Sequence, residues 1–242
     1  RATLRDLDPS LTPLEPLVDE VDLLLVANPN PVTGRRCESE TLRRLAAAAQ
    51  RRELTVIADE TAAGLLKPRS VHRPFAAFAG AEDRTLTLGS FTGVPGLAAW
   101  NVAWLAGPAP LVRRVRDLKQ ALTICSPAPS QFAAFAALRD AEPCPERDPE
   151  HVERLVELLD RMGVPYLSPQ TRAFVVADVS AFGGGEFVAA ACLENGVRVL
   201  GGEHFGRPGQ IRITCTGPFF REGLSRLECT LVEIRRGTRL GD

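Results

Sequence analysis

Ser90-Phe91-Thr92-Gly93-Val94-Pro95-Gly96-Leu97-Ala98-Ala99-Trp100-Asn101-Val102-Ala103-Trp104 is the stretch on which the reading of this chain turns. It leaves a predicted strand (84–91), passes through a glycine- and proline-bearing turn, and enters a second predicted strand (101–106). Upstream, the apolar run 21–27 reads as a buried strand and ends in the turn-rich Asn28-Pro29-Asn30-Pro31-Val32-Thr33-Gly34. Residues 38–52 carry Leu42, Leu45 and Ala46 at helical spacing and predict an amphipathic helix. Residues 54–58 form another apolar run, closed by Asp59-Glu60. Strand, helix, strand in that order predicts a parallel βαβ unit with a right-handed crossover.

Downstream, 108–123 and 127–140 predict helices, each with proline near its start. The stretch 141–149 is rich in proline and charge and reads as a connection. Beyond it come a helix (150–162), a strand (173–179), a helix (185–195), a strand pair (197–200 and 210–215) and a last helix (221–235). The fold class is therefore α/β, with a large domain over 1–140 and a smaller C-terminal α/β domain over 141–242.

Composition narrows the function classes. In 242 residues, 45% hydrophobic and 24% charged content matches an ordinary globular protein with room for two cores. A formal net charge of −1 argues against a nucleic-acid surface. No apolar run is long enough to span a membrane, and the first residues do not read as a signal peptide. The six cysteines, Cys37, Cys125, Cys144, Cys192, Cys215 and Cys229, are scattered without a C-x-x-C pair. Reduced, mostly buried thiols in a cytoplasmic protein are expected, with no metal site. Lysine occurs only at Lys67 and Lys119.

Four segments carry a resemblance. Asn28 to Gly34 is similar to the N-P-x-N-P-T-G loop of class I/II aminotransferases, and Asp59-Glu60 to their D-E-x-Y. Residues 90–104 align without gaps to S-F-S-K-x-x-G-L-x-G-W-R-V-G-Y, and Arg212-Ile213-Thr214 resembles R-I-S. The chain thus resembles the PLP-dependent aminotransferase superfamily, fold type I, most closely its histidinol-phosphate aminotransferase and threonine-phosphate decarboxylase branch. That implies a three-layer large domain with a mainly parallel sheet, a homodimer, and an amino-acid-like ligand.

The same resemblance exposes departures. PLP chemistry needs a lysine amine for the Schiff base and a carboxylate to hold the pyridine nitrogen protonated. Asp59 falls at the carboxylate position, but Gly93 falls where the lysine belongs. Asn101 stands where an arginine would grip the phosphate, replacing a bidentate cation with a neutral amide. Ala62 replaces the tyrosine of D-E-x-Y, and Pro31 the second asparagine of the loop. Ser90 remains as a phosphate-ligand position. The family's N-terminal part of the large domain, which precedes the first loop, has no counterpart here, so an incomplete sheet with open edges is expected.

By resemblance, then, the cofactor positions are Asp59, Ser90 and Asn101, with Arg212, Asn30 and His204 on the ligand side and no residue assigned to catalysis. No cofactor is expected, PLP being implied by the family alone. His72, His151 and His204 are isolated and read as surface or packing residues. Gly183-Gly184-Gly185 reads as a turn before a helix, with an anion cradle as its rival. Trp100 and Trp104 read as core. The leading expectation is a homologue unable to transaminate. Its rivals are an enzyme using the old pocket with non-covalent or no cofactor, and a binding partner of an active paralogue.

Overall fold

The computed structural model describes residues 21–67, 70–94, 96–139 and 150–237. The described residues fall into two compact units, those within 1–31 and 35–145, and those within 32–34 and 146–242. The connection expected at 141–149 lies outside the described residues. The linear division differs from the structure at 32–34, which pack with the second unit: Gly34 lies against the side chains of Thr171 and Phe174.

In the first unit, β1 (Leu23–Ala27), β2 (Thr55–Asp59), β3 (Thr85–Ser90) and β4 (Ala103–Ala106) form one sheet in the order β1-β2-β3-β4. The first three are parallel and β4 is antiparallel to β3. The helix between β1 and β2, α1 (Ser39–Arg51), buries Leu42, Leu45, Ala46 and Ala49, the i, i+3, i+4, i+7 stripe of an amphipathic helix. It covers the sheet face that carries Val56 and Ala58, and Phe75 and Phe78 complete this core. Two further helices, α2 (Ala109–Thr123) and α3 (Ala128–Arg139), follow β4. Among the described residues, α2 buries none and α3 buries only Ala134.

The tryptophans depart from the expectation of core packing. Trp100 and Trp104 are 43% and 44% exposed. Trp104 pairs across the strands with Gly89, where a Cβ would fall 2.0 Å from the indole, so the missing side chain makes room for the ring.

In the second unit, β5 (Phe174–Asp178), β6 (Leu200–Gly201) and β7 (Gln210–Thr214) form an antiparallel sheet in the order β5-β7-β6. The strand expected at 197–200 shrinks to two residues. The Val197 N–H is spent on the Cys192 carbonyl, closing the preceding helix instead of joining the ladder. Helices α4 (His151–Arg161), α5 (Gly185–Glu194) and α6 (Phe220–Arg236) pack Leu155, Leu159, Val188, Leu227 and Leu231 against Val175 and Ile211. His151, isolated in the sequence, is buried: its Nδ1 lies 2.7 Å from the Cys215 carbonyl and its ring stacks on Phe220 at 4.0 Å.

The end of β2 is tied down by a carboxylate. Glu60 is buried; its Oε1 accepts the Phe75 N–H at 2.7 Å and its Oε2 lies 2.8 Å from His72 Nε2. Its own N–H donates to Leu88 on the neighbouring strand at 2.9 Å. Glu60→Ala strands the buried Phe75 amide and removes the partner of His72. It is expected to lower unfolding free energy by about 2 kcal/mol in urea denaturation, with an unchanged m-value.

The five described cysteines divide by environment: Cys125 and Cys229 are exposed, Cys37 is partly buried, and Cys192 and Cys215 are buried. Burial pushes the Cys192 thiol from 9.0 up to about 11 and the Cys215 thiol up to about 12. A disulfide-exchange reagent near neutral pH is expected to modify Cys125 and Cys229 in the native protein, and Cys192 and Cys215 only on unfolding. The sign for stability follows from the same shifts. Unfolded thiols release protons above about 9 while the native ones keep them, so this contribution is present below that pH. Thermal melts are expected to show it being lost as pH rises through 9 toward 11 and 12.

Candidate functional site

The candidate residues of the first unit lie at the carboxyl ends of parallel strands, where an α/β sheet places its ligands. Asn28 follows β1; its side-chain Oδ1 accepts the Cys37 N–H at 2.9 Å and its N–H donates to the Asp59 carbonyl at 2.9 Å. Asn30 closes the same loop, its N–H donating to the Arg35 carbonyl at 2.8 Å. Asp59 is the last residue of β2 and is partly buried. Its Oδ1 accepts both the Thr61 N–H at 3.0 Å and the Thr61 hydroxyl at 2.6 Å. That oxygen is thus engaged by the residue's own turn, an Asx arrangement common after strands. Ala62, in the same turn, is 5% exposed.

Ser90 ends β3. Its hydroxyl lies 2.6 Å from the Thr92 hydroxyl and accepts the Thr92 N–H at 3.0 Å, so these two oxygens serve each other. Gly93 follows without a side chain, and its α-carbon lies against Gly64. Asn101 is exposed and left-handed at φ 51°, a conformation asparagine tolerates better than most residues. The structure therefore gathers Asp59, Ser90 and Gly93 at the ends of the adjacent, hydrogen-bonded strands β2 and β3. Glu60, next in sequence to Asp59, is buried and pairs with the partly buried His72. In sequence Glu60 is only half of a strand-ending doublet and His72 stands isolated. A second carboxylate closing an apolar run is the available signal.

In the second unit, Arg212 lies mid-strand in β7, half-buried, its guanidinium 4.5 Å from the centre of the Phe174 ring. Desolvation by burial lowers its pKa from the ordinary arginine value. This stacking is a structural use of the cation. His204 is exposed on a short 3-10 turn, Gly202–Phe205, which directly follows β6. A cavity of about 560 Å³ in this unit is lined by Val197, Arg198, Ile213, Thr216, Phe219 and Arg226 among others, and neither Arg212 nor His204 lines it. The anion-cradle reading of Gly183-Gly184-Gly185 fails: their N–H groups donate to the carbonyls of Ser180, Val179 and Pro208. Gly183 and Gly184 serve the turn through positive φ, at 99° and 95°.

Comparison with known proteins agrees with the fold. A putative aminotransferase of Bacillus subtilis is 24% identical over 242 residues, covering 98% of this chain and 60% of that protein. A probable N-succinyldiaminopimelate aminotransferase of Mycobacterium tuberculosis is 34% identical over 115 residues, 48% of this chain and 29% of that protein. The solved structure of the M. tuberculosis N-succinyldiaminopimelate aminotransferase superposes with a TM-score of 0.79 at 27% identity, over 90% of this chain and 62% of that one. An aspartate aminotransferase from Thermus thermophilus shares the fold at TM-score 0.80, 22% identity, 92% of this chain and 61% of that one. The chain thus spans about three fifths of the length of relatives that match it end to end. No described helix is long and apolar enough to cross a membrane. The family model for aminotransferase class I and II matches residues 1–219, and the chain belongs to that family.

Proposed function

We propose that this chain is an aminotransferase homologue whose PLP site is degenerate and which does not transaminate. The observation that carries the reading is the residue at 93. Schiff-base catalysis begins with a side-chain amine, and Gly93 has none. Lys67 and Lys119 stand elsewhere in the chain, on the segment after Asp59 and on α2.

The surrounding residues support the same conclusion. Asn101 supplies a neutral amide where the family motif has an arginine, and Ala62 is a buried methyl where the motif has a phenol. The hydroxyls of Ser90 and Thr92 bond to each other, and Asp59 accepts from Thr61. These groups do not fit a covalently held PLP. Each lost charge-assisted hydrogen bond removes roughly 1.5–3 kcal/mol of cofactor binding. An amino-acid-like ligand, a homodimer and a cytoplasmic location are supported by the motifs' likeness to the family alone.

Titration of the purified chain with PLP, followed by absorbance, borohydride reduction and intact mass, tests this. The expected result is no protein-linked spectral change and no mass increase. A borohydride-fixed adduct, or aminotransferase activity above a mock preparation, overturns the reading.

A further inference from the structure

The loss of the amine is not the whole of what distinguishes position 93. Gly64 and Gly93 lie on the loops that leave the ends of β2 and β3, and neither has a φ in the left-handed region. A left-handed φ is therefore not what calls for glycine at either place. Space does. A Cβ on Gly93 would meet the Gly64 carbonyl carbon and oxygen, each at 2.3 Å, and the Gly64 α-carbon at 2.4 Å. A Cβ on Gly64 would meet the Gly93 α-carbon at 3.0 Å. The obstacle is backbone on both sides, so rotating a side chain relieves nothing.

Neither loop yields easily. The turn carrying Gly64 is closed by N–H donations from Ala63 to Glu60 at 2.9 Å, Leu65 to Ala62 at 3.0 Å and Leu66 to Ala63 at 3.2 Å. Ala62 and Leu66 are buried beneath it, and Glu60 anchors its start to Phe75 and His72. On the opposite loop Val94 donates to Phe91 at 2.9 Å, Leu97 donates to Val94 at 3.0 Å, and Leu97 is buried.

We propose that the direct contact between the Gly64 and Gly93 backbones is a steric lock joining these two loops. It excludes every side chain at 93, lysine included, so that restoring the amine by substitution does not restore a cofactor-competent site. The lock stands on the backbone contact alone; only its consequence for PLP rests on the proposed function.

Melting temperatures of Gly93→Ala, Gly64→Ala and Gly223→Ala test the lock in the full chain. Gly223 lies on α6 with open space around its Cβ position, so alanine there is expected to leave the melting temperature unchanged or raise it. Gly93→Ala is expected to lower it by roughly 3–10 °C, and Gly64→Ala by less, following the two Cβ distances. Gly93→Ala melting with the wild type, or the reverse rank of the two, overturns the lock. Gly93→Lys is then treated with PLP and borohydride and mapped by peptide mass. Failure to fold, or a lowered melting temperature with no adduct at residue 93, follows from the lock. An adduct at 93 in a variant as stable as the wild type overturns it. Cofactor binding by the unaltered chain would bear on the proposed function and leave the melting ranks untouched.

Discussion

A buried carboxylate has to be matched by donors or it destabilises the fold that contains it. Glu60 satisfies that constraint in a way that organises the surroundings of β2. One oxygen takes the Phe75 amide and the other faces His72, while the backbone of Glu60 donates to β3. The long segment from β2 to β3 is thereby returned to the place where it began. Phe75, fully buried in the first core, is positioned by the same bond. The turn containing Ala62 and Gly64 is held between this anchor and the strand, which puts its peptide against Gly93.

The consequence is a site region built from mutually satisfied groups. Asp59 and Thr61 close one turn, Ser90 and Thr92 another, and Gly64 and Gly93 meet backbone to backbone. In a cofactor enzyme the protein supplies binding, orientation and electrostatics to a group that carries the chemistry. Under the proposed reading, the same strand ends direct those capacities toward each other. The second unit behaves likewise: Arg212 lies over Phe174, His151 is sealed against Phe220 and the Cys215 carbonyl, and two thiols are held protonated by burial.

Much of the fold was legible because periodicity is local. The stripe of Leu42, Leu45 and Ala46 needed only the spacing of a helix, and the runs ending at Ala27 and Asp59 only their apolar continuity and a following turn. The candidate site was legible only as motif positions, Asp59, Ser90, Gly93 and Asn101. What those side chains bond to was not. His72 meets Glu60 across a loop, Trp104 lies on Gly89 from the next strand, and the amides of the glycine run are taken by carbonyls, that of Gly185 by distant Pro208. The short β6 was misjudged because Val197 suits a strand by propensity, while its N–H had a nearer acceptor at Cys192.

By itself the sequence determined the succession of strands and helices, the family motifs, and the bare fact that residue 93 brings no amine, since covalent identity and hydrophobic spacing are written along the chain. Tertiary structure alone decided that Gly93 is pressed against Gly64, that Glu60 is buried with two partners, and that both tryptophans reach solvent. These depend on which backbones approach one another after folding. A glycine required for closeness reads in sequence no differently from one that is merely tolerated.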